Sequence, residues 1–161
     1  MKRILLAATA AAVMGSAASA QILEEKNMPM DLAATIAREA VAACSAQGYN
    51  VSAAVVDRAG VLRALLRADN AGSHTPEAAR QKAYTSSSSR MPTSAMAENI
   101  TKNPAAAELA SIDGFLVLAG GVPVKLGDFT IGAIGVGGAP GGQFDEACAV
   151  AALTKVKDQL K

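Results

Sequence analysis

The chain is poor in the residues on which most cores and many active sites depend. It has no Trp, and its 161 residues hold only two Tyr and three Phe (Tyr49, Tyr84, Phe115, Phe129 and Phe144). A core so short of aromatics must be filled by Ala, Val, Leu and Gly, which brings backbones close together and favours burial shared with a second subunit. His74 is the single histidine, which excludes a histidine-based catalytic triad and a multi-histidine metal site. No basic cluster is present, so there is no electrostatic footprint for nucleic acid. There are two cysteines, Cys44 and Cys148, both on expected helices; they pair only if those helices lie side by side, and two buried thiols are the preferred reading.

No apolar run is long enough to span a bilayer. The one at Ile4 to Val13 is about ten residues, where a spanning helix needs roughly 20. Lys2 and Arg3 precede it and Ala18-Ser19-Ala20 follows it, the pattern of a cleaved secretory signal over residues 1–20. The expected product is therefore periplasmic or secreted, with a loose arm at 21–30 and one domain at 31–161, and no stable membrane insertion. Lys2 and Arg3 leave with the signal, so 15 basic residues become 13 against 14 acids, and the net charge turns from +1 to −1.

From Asp31 to about Ser45, Leu32, Ile36, Ala40 and Ala43 recur at helical spacing, with Asp31 as expected N-cap and Gly48 as stop. Strands 51–56 and 61–67 flank Asp57-Arg58-Ala59-Gly60, whose glycine suits a left-handed hairpin position. Thr75-Pro76-Glu77 opens a second helix, with Ala79, Ala83 and Ser87 on one side. The Ser86–Ser89 tract is poor helix material, and Arg90-Met91-Pro92 ends the segment. A short helix from Thr93 breaks at Asn103-Pro104. Strands follow at 115–119, 122–126 and 129–136, the last two joined by Gly127-Asp128, and Ala149, Leu153, Val156 and Leu160 mark a terminal helix. The order α-β-β-α-α-β-β-β-α predicts an α+β domain with a five-stranded, largely antiparallel sheet flanked by helices.

Gly135-Val136-Gly137 begins like a dinucleotide fingerprint, but Pro140 stands where the third glycine belongs and no βαβ unit follows. The loop Gly137–Gly142 is read as a tight strand-to-helix exit, with anion capture by its N–H groups as the sharper option. Asp57, Asp69, Asp145 and Glu146 are acid–base candidates that sequence cannot pair, and the last two are accounted for by the first turn of a helix. Lys82 is mid-helix and suits a carboxylate partner. Met91 and Met96 are read as packing residues ahead of soft iron ligands. No catalytic constellation stands out, which favours binding over turnover.

Together these segments resemble a known family. Val55-Val56-Asp57-Arg58-Ala59-Gly60, Arg67-Ala68-Asp69-Asn70-Ala71-Gly72, Lys82-Ala83-Tyr84-Thr85, Met91-Pro92-Thr93 and Gly120-Gly121-Val122-Pro123-Val124 are similar to the GlcG/HbpS-like haem-binding family. So is Gly132–Gly142 with Asp145-Glu146-Ala147-Cys148-Ala149. The resemblance implies a homo-oligomer, often an octamer, binding haem b, and a relation to the C-terminal domain of PduO-type proteins. Some relatives use a histidine on the first helix, and residues 31–47 contain none. His74 is then the expected iron ligand. Lys82, Arg63 and Arg67 are the expected propionate partners, and Gly137, Gly138, Gly141 and Gly142 line the site. The implied role is to sequester or relay haem. The alternatives are binding or converting a small oxidised carboxylate, or an oligomeric signalling or accessory role.

Overall fold

The structure is a computed structural model that describes residues 21–161; the export signal expected at 1–20 lies outside the described residues. Four α-helices, α1 (Met30–Ser45), α2 (Thr75–Ser89), α3 (Thr93–Lys102) and α4 (Gly142–Lys155), surround one sheet. The strands are β1 (Ser52–Asp57), β2 (Leu62–Arg67), β3 (Gly121–Leu126) and β4 (Phe129–Gly137), ordered β2-β1-β4-β3 and antiparallel throughout. Two hairpins thus meet at the β1–β4 seam, where Val55 pairs with Ile134 and Ala53 with Val136. Gly60 and Gly127 at the hairpin turns both have positive φ, as the turns expected there require.

Helices cover both faces of the sheet. Leu32, Ile36, Ala40 and Cys44 of α1, with Cys148, Ala149 and Ala152 of α4, pack over Ala53, Val55, Ile134 and Val136. The opposite face meets α2, which comes so near that a Cβ on Gly135 would lie 2.1 Å from the Ala79 carbonyl oxygen, and one on Gly121 2.4 Å from that of Lys82. The small residues Ala79, Ala83 and Ser87 of α2 are buried here, as their spacing suggests.

Several expectations change. The sheet has four strands, not five: residues 115–119 form no strand. The Leu116 N–H donates to Thr85 Oγ1, and the Leu118 carbonyl accepts from Thr93 Oγ1, which itself accepts the Gly121 N–H. Side chains of α2 and α3 thereby take the backbone partners that a neighbouring strand would have supplied. Helix α2 runs through the serine tract because its hydroxyls are spent productively: Ser86 donates to the Met91 carbonyl, Ser87 to that of Asp57 and Ser89 to that of Thr85.

Cys44 and Cys148, preferred above as separate thiols, are joined in a disulfide with Cα atoms 5.4 Å apart, because α1 and α4 do lie side by side. The arm is anchored at its end: Met28 is buried under the sheet, and Asn27 Oδ1 accepts the Arg58 N–H at 3.0 Å. Helix α1 starts at Met30, so Asp31 lies in its first turn rather than capping it. Among the described residues no helix is long and apolar enough to cross a membrane.

Candidate functional site: a glycine-walled cavity over a buried ion pair

Where α2 crosses the ends of β3 and β4, Lys82 is carried under the sheet edge and has only 1 % of its surface exposed. Its Nζ donates to Asp145 Oδ2 at 2.8 Å and to the Val136 carbonyl at 3.0 Å. Asp145, in the first turn of α4, is also buried, and its Oδ1 accepts the Ala139 N–H at 2.9 Å. One ion pair therefore ties α2, β4, the following loop and α4 together. Burying two charges is tolerable here because each has its partner and further hydrogen bonds.

Above this pair opens a cavity of about 430 Å³, lined by His74, Thr75, Lys82, Asp145 and the glycines 137, 138, 141 and 142. Its wall is backbone because side chains would not fit: a Cβ on Gly138 (φ +128°) would sit 2.7 Å from the Asn50 carbonyl, and one on Gly142 2.7 Å from that of Ala119. Such a wall offers N–H groups at the start of a helix, where partial positive charge gathers. Thr75 is held by its hydroxyl, which donates to the Gly72 carbonyl at 2.8 Å and bonds Ser52 Oγ at 2.7 Å. His74 is exposed on the rim and its ring makes no hydrogen bond to described residues.

The structure thus brings together His74, Lys82 and the four loop glycines. It does not bring the two arginines to them. Arg63 Nε donates to Asp57 Oδ2 at 3.0 Å across the first hairpin, and Arg67 donates to the Ala71 carbonyl, shaping the 68–71 turn. Asp57 also accepts the N–H groups of Ala59 and Val61, so it serves the turn. Met96 is buried and Met91 exposed beyond α2. Glu146 accepts from Ser94 Oγ at 2.8 Å. The sequence accounts for Asp145 by the helix dipole; its role as partner of Lys82, 63 residues away, has no local signal. Among the described residues no group of three or more His, Cys, Asp or Glu could hold a metal ion.

The profile of the family described as "Haem degrading protein HbpS-like" matches residues 28–154. The chain belongs to the HbpS-like family. HbpS of Streptomyces reticuli, solved as a double mutant, is 37 % identical with a TM-score of 0.80, over 91 % of this chain and 98 % of that one. Another HbpS crystal structure is 38 % identical, with a TM-score of 0.80 over 88 % and 98 %. A PduOC–haem complex shares the HbpS-like fold at 20 % identity and a TM-score of 0.71, over 80 % of this chain and 94 % of that one. A comparison with proteins of curated function finds no match.

Proposed function

We propose that this chain is a haem-binding protein which residues 1–20 direct out of the cytoplasm, and which sequesters or relays haem b as a homo-oligomer. The observation that carries the reading is His74. It is the only histidine in a chain of a haem-related family, and it stands exposed at the mouth of the cavity with its ring uncommitted.

The residues present fit the group. An imidazole suits haem iron, and a wall of glycine lets a flat ring approach backbone N–H groups that suit propionate carboxylates. Lys82 is held by Asp145, so its part is to keep the loop in place. Haem itself supplies iron redox chemistry; the chain supplies position and shelter. Alanine-rich helices suit close packing between copies.

Haemin titration into the chain lacking residues 1–20 tests this. A saturable, stoichiometric Soret shift is expected, with the band position and affinity changed in His74→Ala. No saturable shift would overturn the haem reading, while an unchanged spectrum in the variant would remove His74 from it. A second reading, a small oxidised carboxylate bound or converted in the same cavity, is favoured by Lys82 and Asp145, polar side chains that both line it. A screen of such acids by thermal shift addresses it.

A further inference from the structure

At the other end of α2 lies a second concavity, unconnected with His74. Its first lining residue on α2, Tyr84, is ten residues beyond His74, about 15 Å along the helix. It encloses about 250 Å³, lined by Arg58, Gly60, Tyr84, Ser87, Ser88 and Arg90.

Three observations single it out. First, Arg90 is the only described non-glycine residue with positive φ, at +59°. Its N–H closes α2 on the Ser86 carbonyl, a position at which glycine is the ordinary choice because no Cβ resists the left-handed turn. An arginine there sets its side chain against a backbone preference, and outliers of this kind cluster at working sites. Second, the exposed Arg90 guanidinium and Ser88 hydroxyl and the Tyr84 hydroxyl bond to no described residue, whereas the neighbouring Arg80 donates twice to Glu77, at 2.9 and 2.7 Å. Third, the Tyr84 ring is slotted between two left-handed glycines. A Cβ would lie 2.5 Å from the ring on Gly60 and 3.3 Å from it on Gly114, so the phenol is held in one pose. A carboxylate already approaches from within the chain: Glu25 of the arm stands 3.4 Å from Arg58 Nε.

We propose that this cleft is an oxyanion site, taking a carboxylate or phosphate group between the Arg58 and Arg90 guanidiniums, with the Ser88 and Tyr84 hydroxyls as further donors. Two planar, permanently charged guanidiniums lining one small concavity suit an oxyanion. The Glu25 carboxylate is then its internal competitor, displaced when a better anion arrives.

Amide NMR titrations of the chain lacking residues 1–20, with inorganic phosphate and separately with succinate, test the proposal. Saturable shifts are expected at Arg58–Gly60, Tyr84 and Ser87–Arg90 and not at His74; the tighter of the two anions names the group recognised. Arg90→Gly is the decisive variant, because glycine is at ease at φ +59° and the fold should survive intact. It should weaken the tighter anion at least tenfold, as should Arg58→Ala, while Glu25→Gln should tighten it. Absence of saturable shifts with both anions, or a folded Arg90→Gly that titrates like the parent, would overturn the site.

Discussion

Lys82 is the largest fully buried side chain among the described residues, and it is charged. Taking an ammonium and a carboxylate out of water costs several kcal/mol each, and the 2.8 Å contact with Asp145 and the bond to the Val136 carbonyl offset that only while both partners stay. Replacing Lys82 by methionine alone strands a buried carboxylate. It should destabilise the fold by about 3–5 kcal/mol in urea unfolding, and combining Lys82→Met with Asp145→Leu should recover most of it. A double variant as unstable as the single one would show that the charges matter for more than each other. The sequence marks Lys82 as suited to a carboxylate and offers four candidate acids. Only the folded chain singles out Asp145, because the choice depends on how α2 crosses the sheet.

Helix α2 is the element on which both concavities depend, and its seat is made by glycines in the strands. At Gly135 even one methyl would lie 2.1 Å from the Ala79 carbonyl, and backbone cannot swing aside as a flexible side chain does. Gly135→Ala should therefore lift α2 and cost about 1–3 kcal/mol, read as a lowered urea midpoint at an unchanged slope. At the start of α2, Arg80 hydrogen-bonds Glu77 and holds its carboxyl below the ordinary range. That exposed pair adds little; its contribution is present at neutral pH, fades as pH falls through the lowered value, and is screened by salt. The element that sequence misassigns, 115–119, is apolar enough for a strand but has no strand to pair with. Thr85 and Thr93 take its backbone groups instead. Periodicity reports which side chains want burial and does not report which partner a backbone will find.

Across the whole molecule, the first and last α-helices are clasped by Cys44–Cys148, 104 residues apart in sequence. Closing so long a loop restricts the unfolded chain far more than the folded one, worth roughly 4–5 kcal/mol in the chain-entropy picture. Reduction, or the double change of both cysteines to Ala, should lower stability by about 2–5 kcal/mol and depress Tm accordingly in a thermal melt with and without reductant. No change in Tm would mean that α1 and α4 are held by their alanine packing alone. The bond also suits the proposed export, since such bonds persist in oxidising surroundings.

What sequence alone determined is local. The helices, two hairpins and left-handed turns at Gly48, Gly60 and Gly127 follow from spacing and φ preference over a few neighbouring residues. The ordered motifs carried the family as well. What only the tertiary structure decided is pairwise and distant. It joined Lys82 to Asp145 and Cys44 to Cys148, and it committed Arg63 and Arg67 to the turns while leaving Arg58 and Arg90 lining one cleft. Those outcomes depend on the path of the chain through space, which brings together residues that carry no mark of one another along it.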